Sequence, residues 1–405
     1  MVATLLVPAV TAPAPAEASA LSGRLARELA SGGGATSALA VDLATGRTLL
    51  SVAPDVARSP ASVEKLYTMS TALKRFGLRG TLPTTALSDA VIAPDGTLAG
   101  DLYLRGGGDP TFGDQSFDRA NYGTGATVQA LVRRLRTAGL RQVFGRVVGD
   151  ESLFDSLRGT IDSRFGVDPY IGPLSAADFD RGLADPNGNS FQARPPLFAA
   201  DALRTALERD GIRVTGRSSA GPTPPGATPL GSVSSPPMST IAGLTLRPSD
   251  NFMAEMTLKD LGARFGGAGS TAAGAAVVGH QLHGFGISAR VLDGSGLTRA
   301  DHTSPRALIG LLGAVRVDPI GPTLRAALPA AGRTGTLAHR MVGTAAEGRC
   351  QAKTGTLSDV STLAGYCRGA RSGDDIAFAL LFNHCDPSSA HDAQDAVVED
   401  LARSS

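Results

Sequence analysis

Three short groups of residues combine the side-chain types that acyl transfer requires. The first is Ser62 and Lys65, three apart in Ser59-Pro60-Ala61-Ser62-Val63-Glu64-Lys65. On a helix that spacing sets a hydroxyl and an amine on one face. If the helix begins here, Ser62 also lies among backbone N–H groups that have no intrahelical partner. A hydroxyl, an amine and free N–H donors at one point are the raw material of an acylating serine with part of an oxyanion hole. The second group is Ser249-Asp250-Asn251 and the third is Lys353-Thr354-Gly355. Each has an ordinary reading as well. Ser62 and Lys65 can be the polar first turn of an amphipathic helix, and Ser249 can simply cap the helix that follows it.

Lysine usage weighs against the ordinary reading. The chain holds four lysines, Lys65, Lys74, Lys259 and Lys353, and its other basic residues are arginine. A guanidinium stays protonated, whereas an amine can be tuned to give up its proton. Lys74 and Lys259 fall late in predicted helices, where a cation complements the helix dipole. Lys65 and Lys353 fall inside the groups above.

The elements that must hold these groups follow from pattern. Ser59 is a good N-cap and Pro60 suits the first helical position. Val63, Leu66, Leu73 and Phe76 recur at helical spacing, and Gly77 ends the run. Residues 36–43 and 47–52 read as a hairpin turning at Ala44-Thr45-Gly46, after a helix at 21–30. From 82 to 231 short strand-like pieces alternate with glycine-rich turns, interrupted by helices at 126–138 and 196–209. The run Gly106-Gly107-Gly108-Asp109-Pro110 has no helix after it and no Lys-Ser/Thr, so it is a tight loop and not a phosphate loop. Residues 222–237 hold six prolines and close the region like a linker. The segment 82–231 therefore looks like a module inserted between two parts, 21–81 and 232–405, of another domain.

In the second part Ser249 is the expected cap of a helix that runs to Leu261 and stops at Gly262. Residues 288–292 read as a strand leading into the turn-rich Asp293-Gly294-Ser295-Gly296-Leu297. Ser304-Pro305 opens another helix. Residues 350–357, 360–367 and 376–383 form three consecutive antiparallel strands, and a helix at 390–402 follows. If Ser358-Asp359 is a two-residue turn, Cys350 falls opposite Cys367, which suits a cross-strand disulfide in an exported protein. Cys385 is left over.

A formal charge of +1 over 405 residues implies no polybasic surface, so nucleic acid is not an expected partner. No apolar run reaches the roughly 18 residues that a membrane helix needs, so no transmembrane helix is expected. Residues 3–10 are apolar and Ala16-Glu17-Ala18-Ser19-Ala20 ends like a cleavage site. Residues 1–20 thus read as an export signal without its positive start, or else as a disordered Ala/Pro tail. The histidines and cysteines show no metal-ligand spacing. His280 and His283 share a helix face without a nearby carboxylate, and no metal or other cofactor is expected.

In this order along the chain, Ser62-Val63-Glu64-Lys65, Ser249-Asp250-Asn251 and Lys353-Thr354-Gly355 resemble the triple signature of the penicillin-recognising serine acyl enzymes. The long segment between the first two, the Asp293–Leu297 loop, Gly108-Asp109-Pro110-Thr111 and Gly149-Asp150-Glu151-Ser152 resemble the class C low-molecular-mass penicillin-binding proteins. Those are D-alanyl-D-alanine carboxypeptidases and endopeptidases of the cell wall. The resemblance implies an α+β fold: a transpeptidase/β-lactamase-like antiparallel sheet flanked by helices, split by a mainly β inserted module. It implies Ser62 as nucleophile and Lys65 as its base, with an amine pKa lowered by burial and by the nearby Lys353 cation. Ser249 would relay a proton to the leaving D-alanine, and Asn251 would orient Lys65 and the substrate amide. Lys353 and Thr354 would hold the terminal carboxylate, Gly355 would let the strand approach the substrate, and Asp250 would belong to the substrate-binding set. The backbone N–H groups of Ser62 and Thr356 would form the oxyanion hole. Peptidoglycan stem peptides and β-lactams are the implied partners, in an exported, periplasmic or extracytoplasmic setting. Arg333-Thr334-Gly335-Thr336 imitates the third group with Arg in place of Lys but lacks the hairpin pattern after it. Two alternatives stand beside this reading: a β-lactamase or esterase on the same fold, with Glu64 within the first group, and a non-catalytic peptidoglycan-binding protein.

Overall fold

The computed structural model describes residues 15–185, 188, 190–369 and 375–404. The apolar stretch at 3–10 lies outside them, and the run at 16–20 falls within helix α1 (Pro15–Ser31). Strands β1 (Ala35–Asp42) and β2 (Thr48–Val52) make the expected hairpin. Asp42 closes its turn by accepting from the N–H groups of Ala44 and Thr45 at 2.9 and 3.2 Å. The chain then enters a 3-10 turn, Ala61–Glu64, before helix α2 (Lys65–Phe76), which Gly77 ends. Ser59 is not the cap. Its hydroxyl is buried and has no hydrogen-bond partner among the described residues. Its backbone is pinned instead by the Asn383 amide, which accepts from the Ser59 N–H at 2.9 Å and donates to its carbonyl at 3.2 Å.

The next segment builds a core of its own from short elements. These are β3 (Pro83–Ser88), β4 (Thr97–Leu98), β5 (Leu102–Arg105), α3 (Gln115–Asn121), α4 (Val128–Thr137), β6 (Gln142–Val143), β7 (Val147–Asp150), α5 (Pro195–Arg209), β8 (Arg213–Val214), β9 (Ser219–Ala220) and β10 (Thr228–Ser234). One sheet runs β10-β3-β5-β7-β9 and a small parallel one runs β4-β6-β8. Leu102, Leu104, Leu131, Leu135, Leu203 and Leu207 fill the space between sheets and helices. Helix and strand share this segment about equally, because the strands are only two to seven residues long. The proline-rich stretch is not a free linker: β10 lies within it and pairs with β3, with a register shift beside Pro229.

Helices α6 (Met238–Leu246), α7 (Asn251–Phe265), α8 (Thr271–Gly284), α9 (Pro305–Arg316) and α10 (Gly321–Ala327) follow. Helix α7 does not stop at Gly262. That glycine is a packing position, where a Cβ would fall 2.6 Å from the Ala268 carbonyl oxygen. The expected strand at 288–292 is reduced to one bridge, Arg290 with His302.

Strands β11 (Cys350–Leu357), β12 (Val360–Arg368) and β13 (Asp375–Asn383) and helix α11 (Pro387–Arg403) come last. The main sheet runs β11-β12-β13-β1-β2 and is antiparallel throughout. Strand β13 is apolar at nearly every position because both its faces are covered. Phe378, Leu380 and Phe382 pack with Leu25 and Leu29 of α1 and Val397 and Leu401 of α11. Ala377, Ala379 and Leu381 face the other way, into the core of α2 and α6–α10. Among the described residues no helix is long and apolar enough to cross a membrane.

The Ser358-Asp359 turn sets Leu357 opposite Val360 and Cys350 opposite Cys367, and these cysteines form a disulfide 17 residues apart in sequence. Closing a loop of that length restricts the unfolded chain by about 3 kcal/mol. The Cys350→Ser/Cys367→Ser double variant should lose stability of that order in urea unfolding. Unchanged stability would count against a structural disulfide.

Candidate active site

The 3-10 turn before α2 presents Ser62 while burying its neighbours. Ser62 is partly exposed, whereas Ala61, Val63, Glu64 and Lys65 are buried. Ala61 holds the left-handed φ of 46°, a strained geometry for a residue with a Cβ. Lys65 Nζ lies 2.8 Å from Ser62 Oγ, 2.7 Å from Asn251 Oδ1 and 2.7 Å from the Ser295 carbonyl oxygen. A neutral amine has two N–H donors and one lone pair. Asn251 and the Ser295 carbonyl can only accept, so they take the two donors. The lone pair is then left for the Ser62 O–H, which is the geometry of a base.

Burial pushes the Lys65 pKa down to about 8, while the carboxyls of Asp293, Glu255, Asp250 and Glu64 pull it the other way. Burial is therefore the cause, and the expected contribution from Lys353 is not needed. The effect of charge runs in the other direction: Lys353 is held well below the ordinary lysine value, first by burial and then by the Lys65 cation.

Lys353 lies on β11, the edge strand of the main sheet, whose outer side passes the Ser62 turn. Its Nζ donates to Ser249 Oγ at 2.8 Å and to the Thr354 carbonyl at 2.7 Å. It has no carboxylate partner among the described residues. Gly355 also has a role within the protein. A Cβ there would fall 2.2 Å from Thr362 Oγ1, 2.8 Å from the Pro60 carbonyl oxygen and 2.9 Å from the Ser62 nitrogen. The missing side chain lets the strand reach the Ser62 turn itself. Thr362 Oγ1 also donates to the Pro60 carbonyl at 2.6 Å, tying strand and turn together. Gly355→Val should push β11 away from Ser62 and lower kcat/KM roughly 100-fold. Activity within twofold of wild type would refute this account of Gly355.

The second group sits at a sharp corner before α7. Ser249 has a left-handed φ of 65°, which disqualifies it as the expected cap. Asp250 is the cap, accepting from the Met253 N–H at 2.9 Å. Its other carboxylate oxygen is held by Arg181. Both oxygens are thus engaged within the protein, although the sequence suggested substrate contact. Thr354 Oγ1 meets Thr336 Oγ1 at 2.7 Å. The Arg333–Thr336 stretch, a mere imitation of the third group by sequence, therefore packs on the real one. Thr356 is exposed at the end of β11.

The structure gives the Asp293–Leu297 loop, marked in the sequence only as a turn and a family likeness, a place in the site, and adds Glu255 and Asp301, which no pattern marked. The Asp293–Leu297 loop forms a wall behind Lys65. Glu255 Oε1 accepts from the Gly294 and Ser295 N–H groups at 2.9 and 2.8 Å, and Asp293 Oδ1 accepts from Gly296 at 2.6 Å. Together they fix the carbonyl that Lys65 uses. At Gly296, with φ of 78°, a Cβ would fall 1.9 Å from the Ala61 carbonyl oxygen, so the loop presses on the Ser62 turn. Burial drives these carboxyls toward their neutral forms. Glu255 is pushed up to about 8 and Asp301 up to about 12, in each case with further help from Asp293. Glu64 is raised by burial, then by Asp293 and Glu255. His280 and His283 are exposed on α8, and no group of three or more His, Cys, Asp or Glu among the described residues is arranged to hold a metal ion.

An antiparallel sheet flanked by helices, with the three groups converging at its β11 edge, is the architecture of the class C low-molecular-mass penicillin-binding proteins. The sequence matches the D-Ala-D-Ala carboxypeptidase 3 (S13) family over residues 21–194 and 189–404, and the chain belongs to that family. It is similar to the D-alanyl-D-alanine carboxypeptidase of Actinomadura sp. (strain R39), at 30% identity with 91% of this chain and 81% of that protein covered. Carboxypeptidase Rv3627c of Mycobacterium tuberculosis is also 30% identical, over 89% of this chain and 78% of its own. Penicillin binding protein 4 from Haemophilus influenzae shares the fold, with a TM-score of 0.77 at 20% identity over 92% of this chain and 97% of that one.

Proposed function

We propose that the protein is a serine-type D-Ala-D-Ala carboxypeptidase acting on peptidoglycan stem peptides through an acyl-enzyme on Ser62, and that β-lactams inhibit it by acylating the same hydroxyl. The observation that carries this is the hydrogen-bond inventory of Lys65, with Asn251 and Ser295 on its donors and Ser62 on what remains. Ser62 Oγ attacks the carbonyl of the D-Ala-D-Ala bond as its proton passes to Lys65 Nζ. The oxyanion that forms takes hydrogen bonds from the backbone N–H groups of Ser62 and Thr356, an arrangement worth several kcal/mol in such sites. Ser249, held by Lys353, relays to the departing amine the proton that Lys65 took from Ser62, and that C–N bond breaks, leaving Lys65 neutral again. Water then repeats the sequence on the ester and frees Ser62. Lys353 and Thr354 receive the substrate's terminal carboxylate. When the leaving amine belongs to a neighbouring stem peptide, the same steps cut a cross-link.

Such a substrate lies outside the cytoplasm, which fits residues 1–20 as an export signal. We assign 82–231 as one inserted module between 21–81 and 232–405. The β-lactamase alternative needs a base for the deacylating water, and Glu64 is poorly suited: both its oxygens are buried away from solvent. The non-catalytic alternative has no substituted position to support it.

Intact mass after exposure to penicillin, with peptide mapping, tests the proposal. The expected result is one added penicilloyl group on the peptide containing Ser62, together with release of D-alanine from a stem-peptide substrate. Rapid turnover of the β-lactam without a stable adduct would favour the β-lactamase reading. No adduct and no D-alanine release would overturn the proposal.

A further inference from the structure

Several features lie outside the mechanism above. A cavity of about 600 Å³ opens between α4 and α5, lined by four arginines of which Arg136 and Arg204 pair with neighbouring carboxylates. A group of buried aspartates surrounds Asp109. The feature the contacts carry furthest is the grip of one residue, Arg181, on the corner that bears Ser249 and Asn251.

Arg181 belongs to the segment between β3 and β10, yet its partners sit at the start of α7. Its guanidinium pairs with the free carboxylate oxygen of Asp250 and lies over the Phe252 ring, 5.3 Å from its centroid. The side chain is 27% exposed and that of Asp250 is 13% exposed, so solvent screens the pair only weakly. The backbone is bent to deliver it. Asp180, Arg181 and Gly182 all hold left-handed φ values, of 50°, 60° and 69°. Ser249, at the other end of the contact, is left-handed at 65°. Side chains with a Cβ adopt such geometry only where the surroundings enforce it, and it collects at functional sites.

The same segment touches the corner a second time. Asn251 Nδ2 donates to the Tyr170 carbonyl at 3.1 Å, leaving its Oδ1 for Lys65. The amide is thereby held in the one orientation that presents an acceptor to the base. Asp250 links the two grips, since it caps α7 through Met253 while Arg181 holds it. Phe154, Ile171 and Leu174 pack on Phe252, Met253 and Met256 of the same helix, so the segment stays attached without the ion pair.

We propose that Arg181 is a positioning residue for the reaction: through Asp250 it fixes the Ser249–Asn251 corner, and the segment between β3 and β10 thereby completes the active site. This rests on the functional reading above, and penicilloylation of wild-type Ser62 tests that reading separately. If the wild type acylates, its ratio to the variants tests Arg181.

Steady-state kinetics on a D-Ala-D-Ala peptide, with thermal melting alongside, suffice for Arg181→Ala, Asp250→Asn and the double variant. Asparagine caps a helix as well as aspartate does, so Asp250→Asn removes the charge and keeps the cap. Arg181 does not touch the reacting atoms. Its loss should therefore lower kcat roughly tenfold or more with KM within twofold of wild type. The double variant should be no worse than the singles, because they share one interaction. Arg181→Lys should recover part of kcat, since the charge remains but the planar fork does not. A kcat within twofold of wild type, a change confined to KM, or strictly additive losses would overturn the proposal. If Arg181→Ala does not fold, Asp250→Asn decides by the same kcat and KM criteria.

Discussion

Ser62→Ala is expected to lower D-alanine release by roughly four orders of magnitude or more, and to abolish the penicilloyl adduct, while the protein still folds. The size follows from the chemistry: without the hydroxyl no acyl-enzyme forms, and water must then attack the amide directly, without the covalent step that splits one difficult reaction into two easier ones. Folding should survive because, among the described residues, Ser62 Oγ makes its side-chain hydrogen bond to Lys65 alone, and Lys65 keeps Asn251 and the Ser295 carbonyl. The turn itself is held from outside, by Asn383 on Ser59 and by Thr362 on Pro60. Melting close to that of wild type with activity lost is therefore the expected pair of results. Full hydrolysis by Ser62→Ala would remove the nucleophile from the mechanism, whatever the fold.

Where local rules act on neighbouring residues, the sequence was readable. The Ser358-Asp359 turn fixes a register by counting, so the facing of Cys350 and Cys367 could be anticipated. Strand β13 announces burial on both faces by its unbroken apolar run. Local rules misled where a tertiary contact overrode them. Ser59 and Ser249 are good cap residues by type, but Asn383 pins one backbone and a left-handed turn displaces the other. Gly262 looks like a stop signal and is instead a place where another backbone comes close, and at Gly355 too the Pro60 and Ser62 backbone lies 2.8 and 2.9 Å from where a Cβ would be.

The part of the site that could not be read is the part made by distant chain. Arg181 and Tyr170 reach the second group from 69 and 81 residues away, and no spacing links them to it. The carboxyls of Glu64, Glu255, Asp293 and Asp301 are harder still. Acidic residues are expected at the surface, and nothing in the sequence indicates that these four are buried around one lysine. Their effect is nonetheless chemical. Asp293, Glu255 and Glu64, together with Asp250, oppose the loss of the Lys65 proton while burial favours it, and the balance puts that amine's pKa at about 8.

That balance makes a second large effect predictable. Lys65→Met should lower acylation by penicillin by roughly three orders of magnitude or more, because methionine fills the volume and has no lone pair to take the Ser62 proton. Lys65→Arg should be nearly as poor, since a guanidinium keeps its charge but cannot act as a base. The two variants together separate the loss of a cation from the loss of a base. The pH dependence follows from the same lone pair. Lys65 acts when neutral, and its pKa is pushed down to about 8. Acylation by the wild type should thus rise with pH toward a plateau above about 8, falling roughly tenfold per pH unit well below it. Glu255, pushed up to about 8, titrates in the same range, so the limb belongs to the buried cluster rather than to Lys65 alone. Glu255→Gln keeps an acceptor for the Gly294 and Ser295 N–H groups and removes the negative charge that stabilises the Lys65 cation. The limb should then move to lower pH, whereas in Lys65→Met it should vanish. A wild-type rate that is flat from about pH 6 to 9 would mean that Lys65 is not the base.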